Sequence, residues 1–458
     1  MIHRKECDSL QIWHRDLALR KPLMIRGARQ VGKSTLVRMF AAQQQLQLIE
    51  INLEKPYKFT QYASSKDPKK LLQMLSFELG IKIIPDKSLL FFDEIQQVPE
   101  MIHMLRYFYE ETPEFAVIAT GSLLEFVLAE PTFSMPVGRI SFLHLEPLNF
   151  LDYLKALGED LCCEFICNYN LGDECPEVVH HKLTELLKFY IITGGMPAVV
   201  ADFSIHREVE RSERIKSEII DTYRLDFNKY SKKTNIRLLN RCLDALPKMV
   251  AKKMIYSHLD ANSKSKDISL CVEQLRLAKI FYPAYKCNAN GLPLRAEIDT
   301  TYFKPIFLDT GLYLTMLGLN PLDIDLEKDL NLINQGALME QFIGQQLLTQ
   351  KADYKEPELE YWARENKSSA AEVDFIINHH SNIVPIEVKS GKSGSMKSLQ
   401  VFCLEKHCSL AVRFNSDFPS LLKESRTLMG KHIEYMLLSL PHYLIPRLRG
   451  LLTQSKPT

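Results

Sequence analysis

The sequence has almost no net charge, no long apolar run and no paired-cysteine motif. Its 57 Lys and Arg residues against 56 Asp and Glu residues give a formal net charge of +1, so the total charge indicates no particular partner. No apolar run approaches the roughly 18 residues that span a bilayer, and the charged N-terminal stretch lacks the apolar segment of a secretory signal. We therefore expect a cytoplasmic protein without a membrane partner.

Ten cysteines occur without a single C-x-x-C pair. One cluster resembles a zinc site only in composition; it comprises Cys162, Cys163, Cys167 and Cys175, followed by His180 and His181. Its spacing fits none of the usual structural zinc patterns, so thiols in a reducing compartment are the favoured interpretation and zinc is the alternative.

Length and composition indicate a soluble protein of several domains. At about 150 residues per domain, 458 residues suggest roughly three domains. A hydrophobic content of 46% and a charged content of 25% are ordinary for globular proteins.

A phosphate-binding loop is predicted in KPLMIRGARQVGKSTLVRMFAAQ, where a short apolar run, a glycine-containing loop and a helical pattern follow one another. The loop fits G-x-x-x-x-G-K-S/T, in which backbone N–H groups surround a triphosphate, the lysine reaches the phosphates and the hydroxyl serves Mg²⁺. The motif predicts binding of ATP with Mg²⁺. Its candidate nucleotide-binding residues are Gly27, Gln30, Gly32, Lys33, Ser34 and Thr35.

Two further strands supply the other groups that such a site needs. The run SLLFFDEIQ ends in Asp93, which would hold Mg²⁺ together with Ser34, and in Glu94, which would orient the attacking water as a base. The run FAVIATGS ends in Thr120 and Ser122, which are well placed to sense the γ-phosphate. The alternative for the first run is a buried strand that happens to end in acids.

Arg139, in MPVGRISFLHLEPL, is a candidate contact of the γ-phosphate. It would act within its own subunit or from a neighbouring one, and the second case requires a homo-oligomer. The alternative is an ordinary surface arginine.

The middle of the chain combines helical patterns with a local basic excess. Residues 229–267 contain ten basic residues against three acidic ones, an excess of +7. Helical segments followed by two apolar stretches favour a winged-helix module, whose bases would contact phosphates of DNA or another nucleic acid. A solvated helical face is the alternative. The bases are Lys229, Lys232, Lys233, Arg237, Arg241, Lys248, Lys252, Lys253, Lys264 and Lys266, and the acids are Asp244, Asp260 and Asp267.

The C-terminal third contains AEVDFIINHHSNIVPIEVKSG, with carboxylates inside two apolar runs. Residues two apart on a strand face the same side, so Glu387 and Lys389 project together, and Asp374 on the adjoining strand is within reach. Mg²⁺-dependent cleavage of a phosphodiester needs acidic oxygens on the metal and a cation beside the reacting group. A hairpin with a polar face is the alternative.

Glu340 supports the catalytic interpretation of that hairpin. In INQGALMEQFIGQQLL it falls within an apolar stripe predicted from Ile333, Ala337, Ile343 and Leu347. A buried carboxylate without a partner is costly, so we expect Glu340 to have a metal or a base beside it. Glu340, Asp374 and Glu387 are therefore the predicted Mg²⁺ ligands of a nuclease-type site, with Lys389 as its catalytic cation.

The motifs GARQVGKST, LLFFDEIQ, TGS, VGRISFLHLEPLNFLDYL, GGMPAVV, KPIFLDTGL, EVDFII and IEVKSG occur in this order. In this respect the chain resembles the prokaryotic AAA-like (archaeal-type) P-loop ATPases that carry a C-terminal domain of unknown function. The resemblance implies that Arg139 contacts the γ-phosphate, and that Glu340, Asp374, Glu387 and Lys389 form the core of a domain similar to the PD-(D/E)xK nuclease fold.

The resulting expectation is a multidomain α/β protein. It comprises an AAA-like P-loop ATPase domain with a parallel sheet flanked by helices at 1–160, a helical lid at 161–228, a winged-helix domain at 229–325 and a restriction-endonuclease-like domain at 326–458. The expected function couples ATP to DNA binding and Mg²⁺-dependent nuclease chemistry. Two alternatives stay open: a nucleotide-switched DNA- or protein-binding regulator with a silent nuclease-like domain, and an ATPase that remodels a partner protein.

Overall fold

The computed structural model describes residues 4–122, 124–130, 138–230, 235–319, 335–366, 369–392, 394–428 and 430–455. Within the described part of the chain, no helix has the length and apolar content that a bilayer crossing requires.

The N-terminal region is built on a sheet of five parallel strands in the order β2-β3-β4-β1-β5. Successive residues of β3 point to opposite faces of the sheet, so that Phe91 belongs to one apolar core and Phe92 to another. A parallel sheet covered on both faces needs continuous apolar strands, which explains runs such as SLLFF. The strands are β1 (Leu23–Arg26), β2 (Gln47–Asn52), β3 (Ser88–Asp93), β4 (Ala116–Thr120) and β5 (Ser141–His144).

Helices flank this sheet, so the predicted P-loop NTPase architecture, a parallel sheet between helices, is confirmed. The helices are α1 (Lys5–Arg15), α2 (Lys33–Gln43), α3 (Pro68–Leu79), α4 (Pro99–Glu111) and α5 (Leu124–Leu128), with 3₁₀ turns at Lys58–Ser65 and Ile95–Gln97.

A helical region follows, and its break at Gly194 and Gly195 has a packing reason. Gly194 has φ +76°, and a Cβ there would collide with the Asp309 carboxylate. The Gly195 N–H donates to Asp309 Oδ2 at 2.6 Å. The helices are α6 (Phe150–Ala156), α7 (Asp160–Asn168), α8 (Glu177–Thr193), α9 (Pro197–His206), α10 (Val209–Tyr230), α11 (Ile236–Ala245), α12 (Tyr256–Leu259) and α13 (Ser265–Leu277), with a 3₁₀ turn at Leu246–Met249.

The second sheet has eight strands in the order β12-β13-β11-β10-β9-β8-β6-β7. The strands are β6 (Phe281–Cys287), β7 (Ile298–Phe307), β8 (Leu359–Asn366), β9 (Ser369–His379), β10 (Asn382–Val388), β11 (Leu410–Asn415), β12 (Ser420–Leu428) and β13 (Lys431–Pro441). The remaining helices are α14 (Thr310–Met316), α15 (Gln335–Thr349), α16 (Lys397–Lys406) and α17 (Leu448–Gln454), with 3₁₀ turns at Leu294–Glu297 and His442–Arg447.

This sheet runs across the predicted boundary between the winged-helix and nuclease-like domains. Strand β6 pairs in parallel with β8, with Ala284 opposite Leu359. The hairpin β6–β7 is therefore part of the eight-stranded sheet, with β7 at its edge, and not a free wing. Residues 303–307 of β7 are buried against the rest of the molecule. The boundary at 325/326 itself lies outside the described residues.

Helix α15 is buried on all sides along residues 338–348, so the predicted single apolar stripe does not describe it. Two glutamines of this stretch are buried and bonded: Gln341 contacts the N–H and C=O of Phe307 at 2.7 and 2.8 Å, and Gln346 Oε1 accepts from the Phe150 N–H at 2.9 Å. Ile333 of the predicted stripe lies outside the described residues. Because α15 contacts several segments, it holds Glu340 in the interior of the molecule.

Candidate functional site

The phosphate loop joins β1 to the N-terminus of α2. Gly27 and Gly32 have φ values of +155° and +93°, which favour glycine, and a Cβ at Gly27 would collide with the carbonyl oxygen of Leu145. No side chain within the described residues caps α2, whose first residue is Lys33. Its first N–H groups are thus free to bind an anion.

Lys33 is buried and folds back over its own loop. Its Nζ donates to the carbonyl oxygens of Gly27 at 3.0 Å and Ala28 at 2.7 Å. Burial lowers the pKa of Lys33 to about 8, although the charges of Glu94 and Asp93 oppose this change. A phosphate beside Nζ would stabilise the charged form and so raise this pKa. Of the other predicted loop residues, Gln30 and Thr35 are exposed.

Asp93, at the end of β3, lies against the start of α2. Its Oδ2 accepts from Ser34 Oγ at 2.9 Å, and its Oδ1 accepts from Thr120 Oγ1 at the end of β4. A serine hydroxyl and an aspartate carboxylate are oxygen ligands of the kind that Mg²⁺ prefers beside nucleotide phosphates. The predicted pair of Ser34 and Asp93 is therefore brought together and fits Mg²⁺.

Glu94 follows directly, with φ +54°, and its carboxylate is held by two neighbours. Oε2 accepts from Gln96 Nε2 at 2.5 Å, from Ser122 Oγ at 2.9 Å and from the Ser122 N–H at 3.3 Å. Sequence reasoning missed Gln96. The one sequence feature that reflects its position is the glycine in TGS, because a Cβ at Gly121 would collide with the Gln96 amide.

Arg29 is a second residue that sequence reasoning missed. It lies in the phosphate loop with Nη1 2.7 Å from Asp226 Oδ2 of α10 and 3.4 Å from Ser122 Oγ. The Tyr223 hydroxyl, also on α10, donates to the Arg29 carbonyl oxygen at 2.8 Å. Arg29 therefore connects the loop to α10 and to the residue that holds Glu94.

Arg139 does not lie near the phosphate loop of its own chain. It is exposed and bonded to Glu110, near the end of α4, at 3.0 Å. It precedes β5, whose first residue pairs with Leu23 at the start of β1, whereas the loop follows Arg26 at the other end. The intrachain role is thus not supported by the geometry, and a contact with the nucleotide of a neighbouring copy stays a prediction.

In the C-terminal sheet, Glu340 has a partner that sequence reasoning did not identify. Lys304 of β7 is fully buried, with Nζ 2.5 Å from Glu340 Oε1 and 3.1 Å from Glu372 Oε1. The ring of Tyr361 lies 4.9 Å from the same Nζ. Burial alone would lower the pKa of Lys304, but Glu340 and Glu372 outweigh burial and raise it above its ordinary value.

Asp374 lies at an irregularity of β9. The β8–β9 register shifts between Glu360 opposite Ile376 and Trp362 opposite Val373, so one residue of β8 faces two of β9, Asp374 among them. Such a bulge redirects side chains. The Asp374 carboxylate accepts from the Val388 N–H at 2.7 Å, which places it beside the peptide that follows Glu387.

Glu387 and Lys389 contact each other, as their spacing predicts, with Nζ 2.5 Å from Oε1. Glu387 is 5% exposed, and its second oxygen, Oε2, is buried without a hydrogen-bond partner among the described residues. Burial, reinforced by the charge of Asp374, raises the pKa of Glu387 to about 7. An unsatisfied buried carboxylate oxygen favours a proton or a cation.

The predicted three-carboxylate metal set is not arranged as one group. Within the described ranges, no three or more His, Cys, Asp or Glu side chains are grouped as a metal site requires, and this applies equally to the cysteine cluster around Cys162. Glu340 is bonded to Lys304, while Asp374 and Glu387 lie together. Magnesium binding by Glu340, Asp374 and Glu387 therefore stays a prediction.

Residues 19–154 match the model of a family described as AAA domain. Residues 184–323 and 335–418 match families described as domains of unknown function, DUF8612 and DUF4143. Among curated protein sequences, none matches this chain.

Among solved structures, the chain is similar to the Walker-type ATPase PABY2304 of Pyrococcus abyssi at 15% identity, covering 69% of this chain and 96% of that one, with a TM-score of 0.43. It is also similar to the RuvB Holliday junction branch migration motor of Thermotoga maritima (12% identity, 61% and 89% coverage, TM-score 0.30) and to PCH-2 of C. elegans (9%, 45% and 63%, 0.28). These identities and TM-scores are too low to transfer an activity.

The phosphate loop, the sheet order and the match over residues 19–154 together define an AAA-type domain with the P-loop architecture of ATP-binding ATPases. The comparisons assign no activity to the middle and C-terminal regions, so the winged-helix and nuclease-like interpretations are not confirmed.

Proposed function

We propose that this protein binds ATP with Mg²⁺, hydrolyses it, and uses the nucleotide state to control DNA contacts and phosphodiester chemistry elsewhere in the chain. The observation that carries the proposal is the position of Asp93 and Glu94 at the end of β3. Asp93 contacts Ser34 of the phosphate loop, and Glu94 is fixed by Ser122 and Gln96.

Each residue has a distinct role in hydrolysis. Lys33 and the N–H groups at the start of α2 bind the phosphates, and Ser34 and Asp93 hold Mg²⁺, which neutralises phosphate charge when bound. Glu94 accepts a proton from the attacking water. Because Gln96 and Ser122 both donate to Glu94 Oε2, the carboxylate keeps one orientation, which general-base catalysis requires.

Arg29 is the residue that couples the nucleotide state of the site to helix α10. It contacts Ser122, which also holds Glu94, and it pairs with Asp226 of α10. Helix α10 leads into residues 229–267, the basic part of the chain. A phosphate that attracts Arg29 would weaken its pairing with Asp226 and so change how α10 is held.

The proposed DNA contact rests on exposed bases in the middle region. Such contacts are to phosphates, so binding should weaken as salt rises and show little sequence preference. Arg241 and Lys253 are already paired with Asp260 and Glu365. Among the described residues of this region, the other exposed bases are Arg237, Lys248, Lys252, Lys264 and Lys266.

The proposed phosphodiester chemistry rests on the free buried oxygen of Glu387 beside Asp374 and Lys389. The pairing of Glu340 with Lys304 favours the alternative, a nucleotide-switched regulator whose C-terminal domain binds DNA or protein without cutting.

One assay separates these functions. The protein is incubated with DNA and Mg²⁺ or Mn²⁺, with and without ATP, beside Lys389→Ala and Lys33→Ala variants. Cleavage that is lost in Lys389→Ala and altered in Lys33→Ala supports the proposal. DNA binding without cleavage under all conditions supports the regulator. ATPase activity with no DNA binding contradicts the proposal and a DNA-binding regulator, and favours action on a partner protein.

A further inference from the structure

A cavity of about 860 Å³ lies where α15 ends, β8 begins and β9 ends. Its size falls within the ~300–1,000 Å³ of small-molecule sites, and apolar side chains such as Leu347, Leu359 and Ile376 form part of its wall. The described residues that line it belong neither to the phosphate loop nor to the C-terminal cluster, which comprises Lys304, Glu340, Glu372, Asp374, Glu387 and Lys389.

Glu360 lines this cavity and interrupts LEYW (359–362), the buried run that begins β8. It is only 9% exposed, yet no described residue donates a hydrogen bond to its carboxylate. Lys351 and Arg295 act on Glu360 through their charges, but the ion pairs that they form are with Glu358. A buried carboxylate without hydrogen bonds is costly. Glu360 is therefore a free acceptor for a ligand in the cavity.

Gln350, which follows α15, gives the cavity a second free acceptor. Its Nε2 donates to the Ile445 carbonyl oxygen, and its Oε1 is buried without a hydrogen-bond partner among the described residues. Two free acceptors select a ligand with N–H donors. Because Lys351 and Arg295 would repel an ammonium or guanidinium group beside Glu360, a neutral donor group fits best.

Arg449, on α17, gives the cavity a cation without a counter-ion. Its Nη1 donates to the Asn378 carbonyl oxygen at 3.3 Å, and no acid is paired with it among the described residues. Burial lowers the pKa of Arg449, and no described carboxylate opposes that change. Lys355 is exposed at the same cavity. An anionic group such as a phosphate fits these two cations.

We propose that this cavity is a second nucleotide-binding site, in which a guanine base contacts Glu360 and Gln350 and a phosphate contacts Arg449 and Lys355. A carboxylate only accepts hydrogen bonds. Guanine presents two adjacent donors, N1–H and the N2 amino group, on one edge. Adenine and cytosine place a ring-nitrogen acceptor beside their amino group, which a carboxylate repels. The apolar wall of the cavity packs against the flat base, whose burial adds to the affinity.

Calorimetric titration with GMP and AMP tests this site, in a Lys33→Ala background that weakens nucleotide binding at the phosphate loop. We expect one GMP per chain at the cavity. The AMP affinity should be at least about 10-fold lower, because a site built around hydrogen bonds rejects an analogue that leaves them unmade. Glu360→Gln should lower GMP affinity about 10-fold or more and remove the preference over AMP. Glu356→Gln, at an exposed acid of the same cavity, is the matched control and should stay within about threefold.

Glu360→Gln should fold normally, because it keeps the size of the side chain and removes a buried charge. Its midpoint of thermal unfolding should equal or exceed that of the background. Arg449→Ala supplies a second variant, at an exposed position. It should lower GMP affinity about fivefold or more and leave guanosine affinity within about threefold, because guanosine carries no phosphate.

A competition experiment distinguishes a free guanine nucleotide from one within a nucleic acid. Bound GMP is challenged with a single-stranded thymine oligonucleotide that contains one guanine, and with the all-thymine strand. Displacement by the first strand alone identifies nucleic acid as the source, and displacement by neither identifies the free nucleotide. Displacement by both strands contradicts the guanine contact.

Three results of the titrations would overturn the proposed guanine site: no GMP binding, equal affinities for GMP and AMP, or a Glu360→Gln variant that binds GMP as tightly as the background. Neither ATP hydrolysis nor DNA cleavage enters the readout. A negative result here therefore leaves the proposed function intact, and a protein that neither hydrolyses ATP nor cuts DNA can still bind GMP as expected.

Discussion

The phosphate loop and the C-terminal cluster each contain a buried lysine, but the two lysines have opposite surroundings. Lys33 donates to two backbone carbonyls, and burial lowers its pKa to about 8. Lys304 lies between two carboxylates that raise its pKa. Both lysines are buried, so the neighbouring charges account for the difference between their pKa values. An anionic ligand would therefore stabilise the charge of Lys33, whereas Lys304 already has its counter-ions.

In the nucleotide site, we expect ATP hydrolysis to be most sensitive to substitution of Glu94. Glu94→Gln keeps the hydrogen-bonding shape but removes the proton acceptor, so we expect kcat for ATP hydrolysis to fall by about 10²- to 10⁴-fold. ATP affinity should stay within about threefold, because the phosphate contacts are unchanged. Glu111→Gln, at an exposed position at the end of α4, is the matched control. An ATPase rate unchanged in Glu94→Gln would remove the assigned base.

In the C-terminal cluster, we expect the stability of the fold to be most sensitive to loss of Lys304. Lys304→Met leaves Glu340 as a buried carboxylate without its counter-ion, which we expect to lower the free energy of unfolding by about 3–5 kcal/mol. Urea denaturation measures this in a Trp13→Phe background, where Trp362 of β8 is the remaining tryptophan.

Lys253→Met is the control for that measurement, because the Lys253–Glu365 pair is solvent-exposed and such pairs contribute about 0–1 kcal/mol. If Lys304→Met were no more destabilising than Lys253→Met, the two lysines would not differ as described.

The pKa of Lys33 predicts a pH dependence of ATP binding. Below pH 8 the lysine is already charged; above it, binding must first add the proton that the phosphates favour. ATP affinity should therefore fall as pH rises above 8, by up to about tenfold per pH unit. Fluorescent-nucleotide titrations between pH 7 and 9.5 test this. Lys33→Arg stays charged and should show a flat profile, and a flat wild-type profile would contradict the lowered pKa.

The smallest expected effect is at the connection between Arg29 and Asp226. Asp226→Asn removes one charged contact, so ATP affinity should change by about fivefold, on the order of 1 kcal/mol. Hydrogen exchange should show that ATP alters the protection of α10 in the wild type and much less in Asp226→Asn. Asp221→Asn, an exposed position on the same helix, should behave as the wild type. An identical response of all three proteins would rule out this route.

Sequence alone predicted the nucleotide region well because its determinants are local. The P-loop and the strand ending in Asp93 combine short-range patterns with a fixed topology, so the contact of Ser34 with Asp93 follows from the fold class. Arg139 was the weak point of that region, since the sequence around it did not show that it lies near the start of β1, whereas the phosphate loop follows the end of β1.

The C-terminal cluster was predictable only in part, because its charges are paired between residues that are far apart in the sequence. The contact of Glu387 with Lys389 follows from the alternation of a strand. Lys304 lies 36 residues before Glu340 and 68 before Glu372, on a hairpin assigned to a different domain, and neither its burial nor the pairing of β6 with β8 has a local signal. Glu340 was expected to have a metal or a base beside it, and its partner is a lysine.

The most direct test of the nucleotide site is calorimetric titration of Mg²⁺–ATP into the wild type and into Lys33→Ala. We expect one ATP per wild-type chain, and an affinity at least about 10-fold lower in Lys33→Ala, since a charged hydrogen-bond partner of the phosphates is lost. Equal affinities in the two proteins, or no ATP binding by the wild type, would contradict the assignment of this loop.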